Sequence, residues 1–167
     1  MTVLVASASR HGATDEIAQA IGEVLRSQGL SVDVKQMKDV DTVMPYDAFV
    51  LGSAVYMGGW LRSARRFVDE HAETLALRPT WLFSSGPVGP AADVAATDSF
   101  DAAELVEETG AREHHLFGGK LDKSELGLAE RTVVGALRVP EGDYREWYAV
   151  TAWATAVARA LESEARV

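Results

Sequence analysis

The chain has 167 residues, 47% hydrophobic and 25% charged, which suits one domain with a full buried core and offers no apolar run of membrane-spanning length. There is no cysteine, so disulfides, thiolate zinc sites, cysteine-ligated iron–sulfur clusters and a cysteine nucleophile are excluded, and redox chemistry would need a bound cofactor. A net charge of −9 opposes non-specific attraction to nucleic-acid phosphates and anionic lipid.

Short β-like runs alternate with longer helical stretches along the chain, the signature of a parallel sheet covered by helices. Met1 leads straight into the first apolar run with no basic, apolar and small-residue leader pattern, so a cytoplasmic location is expected. Strands are predicted over 3–6, 31–35, 48–52, 80–83 and 114–117. Between the first two, Ile17, Ile21, Val24, Leu25 and Gln28 follow helical spacing, with Gly29 as a stop. A second helix is predicted over 63–77, ending before Pro79. A third, over 100–109, carries Asp101, Glu104, Glu107 and Glu108 and is expected to lie mostly solvated. The last helix is placed over 146–163, with Trp147, Val150, Ala154, Val157 and Leu161 on one face.

Two segments stand outside this alternation. Residues 84–98 hold two prolines and two glycines and read as a long loop or lid. An insertion over 118–144 precedes the final helix, and within it Leu126, Ala129, Val133 and Leu137 recur at helical intervals. The apolar face of that insertion helix either packs within the subunit or builds a dimer. The expectation is a single domain over 1–167 whose five strands, joined by right-handed crossovers, take the order 2-1-3-4-5. Ligands of such sheets bind beyond the carboxyl ends of the strands, where the order reverses, so the loops after the first, third and fourth strands converge there.

The first of these loops holds Ser9, Arg10, His11, Gly12, Ala13 and Thr14. Its hydroxyls and backbone N–H groups, with the positive end of the following helix, suit a phosphate dianion. Ser, Thr and Gly equally suit an ordinary helix cap, and the residues alone leave both readings open. No lysine stands in the turn and G-x-x-x-x-G-K-[ST] is absent, which argues against nucleoside-triphosphate hydrolysis.

The second loop offers Ser53, Ala54, Val55, Tyr56, Met57, Gly58, Gly59 and Trp60. Small residues and amides there suit the edge of a planar ligand, while Tyr56 and Trp60 either stack on it or pack inward. Arg62, Arg65 and Arg66 follow, on a polar helix face or as receivers of substrate carboxylates. The third loop, Ser84, Ser85, Gly86, Pro87, Val88, Gly89 and Pro90, either presents backbone groups to a ring edge or simply connects. Neither a metal site nor a catalytic side chain is expected: H-E-x-x-H and G-x-S-x-G are absent, and His114 and His115 point to opposite faces of a strand. Asp143, Tyr144, Arg145 and Trp147 read as a cap of the last helix that also fixes the insertion, or as substrate contacts.

Ser9-x-x-Gly12-x-Thr14-x-x-x-Ala18 resembles the phosphate-binding signature of flavodoxins. Ser9-Arg10-x-Gly12-x-Thr14-x-Glu16-Ile17-Ala18 is similar to the flavodoxin-type, menaquinone-dependent protoporphyrinogen IX dehydrogenases. Gly52-Ser53-Ala54-Val55-Tyr56 with Phe67-Val68, and Gly142-Asp143-Tyr144-Arg145-Glu146-Trp147, resemble segments of the same relatives. The resemblance implies a flavodoxin-like three-layer α/β sandwich that holds FMN non-covalently on the three loops, the flavin ring carrying the chemistry. It further implies an FMN-dependent oxidoreductase acting on a small redox substrate, a porphyrinogen or a quinone, with protoporphyrinogen IX oxidation in haem synthesis as the narrow activity. Electron-carrying flavodoxins typically cover the flavin with an aromatic of the third loop; here that loop has none, which leaves a ring face for substrate. Residues 120–146 hold five Lys/Arg and six Asp/Glu, so the insertion is not the basic arm that membrane docking favours. The competing expectations are an acidic electron carrier that docks on a basic partner, and a flavin-free scaffold that binds proteins through the insertion.

Overall fold

The computed structural model describes residues 1–86, 102–121, 142–143 and 145–167. A continuous apolar run, Val3 to Ala6, forms the middle of β1 (Thr2–Ala8) and is buried on both faces, as a central parallel strand must be. Around it lie α1 (Ala13–Ser27), β2 (Ser31–Gln36), β3 (Ala48–Tyr56), β4 (Gly59–Trp60), α2 (Arg62–Ala76) and β5 (Thr80–Ser85). Then come α3 (Ala102–Thr109), β6 (His114–Phe117), β7 (Lys120–Leu121), β8 (Gly142–Asp143) and α4 (Trp147–Ala165).

The sheet runs β2-β1-β3-β5-β6, all parallel, with β4 folded back antiparallel on β3. Taken over the parallel strands this is the expected order 2-1-3-4-5, and the fold is flavodoxin-like.

Alternation along the strands divides the core in two. Val3, Val5, Val50, Trp81 and Phe83 pack under α1 and α4 against Ile17, Ile21, Leu25, Val157 and Leu161. Leu4, Ala6, Phe49, Leu51 and Leu82 pack on the opposite face against Ala64, Phe67, Val68, Leu75 and Leu105. Each of the Val, Leu, Ile and Phe side chains among them contributes roughly 1.5–3 kcal/mol on burial. At Gly52 the Phe83 ring of the neighbouring strand lies against the backbone, since a Cβ there would fall 2.1 Å from it.

Several boundaries differ from the sequence reading for identifiable reasons. The third and fourth strands run past Gly52 and Phe83 because the parallel ladder continues through Ser53↔Ser84 and Ala54↔Ser85. The second loop is therefore largely a hairpin, with Val55↔Trp60 and Tyr56↔Gly59 paired across Met57 and Gly58.

On α4, Val150, Ala154, Val157 and Leu161 face inward as read, but Trp147 is 41% exposed and Trp153 takes the core position, being spaced three residues after Val150. Helix α3 buries Leu105 while Glu104 and Glu107 face solvent. The ends of the 118–144 excursion meet in an antiparallel pair, Lys120↔Asp143 and Leu121↔Gly142. The insertion positions Leu126, Ala129, Val133 and Leu137, the third-loop residues Pro87, Val88, Gly89 and Pro90, and Asp101 and Tyr144 lie outside the described residues. Among the described residues no helix is long and apolar enough to cross a membrane.

Candidate functional site

The three sequence-picked segments meet at the carboxyl edge of β1, β3 and β5, which are neighbours in the sheet. Register sets the meeting: Ala8 pairs with Ser53, and Ser53 with Ser84.

The first segment turns at Gly12, whose φ of 88° is left-handed backbone that glycine adopts without steric cost. Gly12 is the N-cap of α1 and no side chain caps that helix. Instead the Gly12 N–H donates to Ser9 Oγ at 2.9 Å, closing the turn on itself. A Cβ placed on Gly12 would meet nothing within 4 Å, so the space beside the turn is open. Arg10 and His11 are exposed, Ser9 and Ala13 are half-buried, and the Thr14 side chain is buried.

Asp15, in the first turn of α1, accepts from Ser7 Oγ at 2.7 Å and from Gln36 Nε2 at 2.9 Å. These groups belong to an open cleft of about 390 Å³ lined also by Gln19, Val34, Lys35 and Asp39, on the β2 side of the turn and away from β3 and β5.

In the second segment the Arg10 guanidinium lies 4.4 Å from the Tyr56 ring centroid, bridging the first turn to the hairpin. Met57 and Gly58 both have positive φ, 51° and 77°, as a tight two-residue hairpin turn requires, and Met57 is 72% exposed. Ala54, Val55, Tyr56, Gly58 and Gly59 are half-buried. Ser53 is wholly buried; its Oγ donates to the Ala54 carbonyl and accepts the Leu61 N–H at 3.1 Å, tying the start of α2 to β3.

Trp60 belongs to the core, where Nε1–H donates to Ser84 Oγ at 2.8 Å. Ser84 Oγ in turn lies 2.6 Å from His114 Nε2. Burial, helped by the neighbouring His115, pushes the His114 imidazole down to about 4, so the ring is neutral at pH 7. Ser85 and Gly86 close the third described segment, with the Gly86 N–H bonded to the Phe117 carbonyl at 3.0 Å.

Two features escaped the sequence reading. The Trp60–Ser84–His114 chain depends on strand register, although the alternation of His114 and His115 did signal that one of them faces each layer. The sequence reads Arg145 with Asp143 as a cap of the last helix that also fixes the insertion, but that helix has no side-chain cap and the reach of Arg145 to the first helix carries no sequence signal. Its guanidinium instead takes Asp143 in a two-pronged pair at 2.9 and 2.8 Å, pairs with Glu16, and donates to the Ala13 carbonyl at 3.4 Å. Hydrogen bonding to Asp143, reinforced by Glu16, raises the Arg145 pKa against the opposing effect of burial. Of the three helix arginines, Arg65 pairs with Glu104 and Glu108 on α3.

Comparisons with known proteins agree with the fold. A family model described as a flavodoxin domain matches residues 4–146. The protoporphyrinogen IX dehydrogenase [quinone] of Escherichia coli is 28% identical over 86 residues, 50% of this chain and 48% of the relative, so the match spans about half the length of the curated relatives. Among solved structures, rubredoxin oxygen:oxidoreductase from Desulfovibrio gigas superposes with a TM-score of 0.68 at 15% identity, over 99% of this chain and 37% of that one. A mutant flavodoxin from Pseudomonas aeruginosa gives 0.60 at 20% identity, over 97% and 99%.

Proposed function

The chain belongs to the flavodoxin domain family, and from that premise we propose that it is an FMN-dependent oxidoreductase, acting as a single unit over residues 1–167. The observation that carries this reading is the meeting of the Gly12 turn, the Tyr56–Trp60 hairpin and the Ser84–Gly86 strand end at one sheet edge.

The residues present fit the cofactor. Open space lies beside the left-handed Gly12 at the start of a 15-residue helix, and the positive end of a helix is where a phosphate dianion is held. Ser9, Arg10, His11, Gly12, Ala13 and Thr14 would hold the phosphate. Tyr56, Met57 and Gly58, with the backbone of 84–89, would border the ring. Flavin supplies hydride and single-electron transfer when bound. The chain's own part is to bind, orient and exclude water. Ser53 and Ser84, hydrogen-bonded beneath the surface, hold the hairpin in place. Residues 84–90 contain no aromatic, which leaves one side of the ring for a planar substrate.

The narrow activity we propose is quinone-linked oxidation of protoporphyrinogen IX, supported by the curated relatives and by the Ser9-Arg10-x-Gly12-x-Thr14 motif. Purified protein should be yellow and release FMN. A chain that stays colourless after reconstitution with FMN would remove the reading. Restoration of haem synthesis in cells lacking their own protoporphyrinogen oxidase tests the narrow activity.

One observation favours a second reading: the net charge of −9 suits a carrier steered to a basic redox partner. Electron transfer to such a partner would then slow steeply as salt rises, whereas oxidation of a small substrate would not.

A further inference from the structure

We propose that Arg145 is a positioning residue for the phosphate cradle: it fastens the base of the 118–144 excursion to the first turn of α1 and neutralises Glu16 beside the bound phosphate. The inference rests on the FMN reading above.

Arg145 follows the β7–β8 ladder by two residues, so it leaves from the point where the two ends of the excursion are tied together. Its side chain is only 5% exposed although it carries a full charge. Every edge of the guanidinium is used. Nε and Nη2 grip the two Asp143 oxygens, the backbone N–H of Arg145 also reaches Asp143 at 3.1 Å, and Nη1 serves both Glu16 and the Ala13 carbonyl. Its Cζ lies 4.8 Å from the Trp147 ring centroid, so the aromatic face covers one more side of the cation. A fork-shaped cation held on four sides defines position as well as charge.

What it defines is the turn that begins the cradle. Ala13 follows Gly12 directly, and the Glu16 N–H donates to the Gly12 carbonyl at 3.1 Å, closing the first turn of the helix. An acidic residue in the first turn stabilises a helix, but it repels a dianion bound at the same N–H groups. Pairing Glu16 with Arg145 removes that repulsion while Asp143 keeps Arg145 in place. The excursion and the cradle then share one electrostatic hinge, and whatever orders the base of the excursion favours phosphate binding by the same factor in return.

The phosphate is the part of the ligand that feels this arrangement, which sets the experiment. FMN and riboflavin affinities are measured by flavin fluorescence quenching for the full chain, Arg145→Met, Arg145→Lys, Glu16→Gln and the double variant Arg145→Met/Glu16→Gln. Arg145→Met should weaken FMN about tenfold, within the usual range of coupling between sites, and leave riboflavin binding as it was. Arg145→Lys should recover part of the loss. The double variant should recover most of it, and Glu16→Gln alone should leave FMN affinity nearly unchanged because the charge it removes is already neutralised; a several-fold tightening would show that Arg145 does not neutralise Glu16. Equal losses for FMN and riboflavin, or no rescue by Glu16→Gln, would overturn the inference while the FMN reading stood. Failure of the unaltered chain to bind FMN would overturn both. Glu16 is exposed, so its variant reports on the charge argument even if Arg145→Met unfolds.

Discussion

The neutral His114 under the hairpin makes a pH prediction whose sign and size follow from the structure. In the unfolded chain an imidazole titrates near 6.5, and in the folded protein burial holds His114 down to about 4. Between those values the unfolded state binds the extra proton, so stability is complete above about 6.5 and is lost as pH falls toward 4. A depression of this size corresponds to about 3 kcal/mol. His114 is half-buried, so screening by solvent reduces the expected loss to about 2 kcal/mol.

His114→Gln keeps a side-chain amide that can donate to or accept from Ser84 Oγ and cannot titrate. Urea unfolding followed by tryptophan fluorescence, at intervals from pH 7.5 to pH 4, gives the stability of both proteins. Their difference should change by about 2 kcal/mol across the window, with the variant gaining on the parent as the solution is acidified. Carboxylates and His115, whose pKa burial also lowers, act on both chains and cancel in the difference. Parallel curves would refute the account of His114 as a buried neutral partner of Ser84.

Three further substitutions probe the site from beneath. Gly52→Ala drives a Cβ into the Phe83 ring, which is itself wedged among Phe117 and Trp153, and should cost about 3 kcal/mol or more in chemical denaturation. Gly12→Ala meets no neighbour and should cost only about 1–2 kcal/mol for its left-handed backbone, yet it should reduce FMN affinity far more than Gly52→Ala does in whatever fraction folds; titration with FMN separates the two. Ser53→Ala strands the Leu61 N–H and should lower stability by about 1–3 kcal/mol, measurable as a lower urea midpoint with an unchanged slope.

Much of the fold was legible because its determinants are local. The strand at 114–117 was placed to the residue, and the apolar run from Val3 marked the middle of the sheet. Hairpin β3–β4 was missed because its turn is Met57-Gly58, where the usual signal is Asn-Gly or Asp-Gly. The exchange of Trp147 for Trp153 shows how little periodicity alone says when two tryptophans stand near the start of one helix: Trp147 is tied up by Arg145, while Trp153 meets Phe83 and Phe117. The contacts of Arg145 with Glu16 bridge 129 positions, a separation across which residue spacing carries no signal.

The two serines at the sheet edge sharpen what the candidate site asks of its sequence. Ser53 and Ser84 attract notice as hydroxyls beside a ligand, yet both are fully buried and spend their oxygens on the Leu61 N–H, the Trp60 N–H and His114. A ligand at this edge would therefore meet main-chain groups at those positions, with the side chains serving as struts below. The same division runs through the first turn, where Ser9 Oγ supports Gly12 from below and open space lies beside that glycine. A site built this way binds through backbone geometry. Its weak points are then the residues that set that geometry, Gly12, Gly52 and Arg145, more than the polar side chains nearest the ligand.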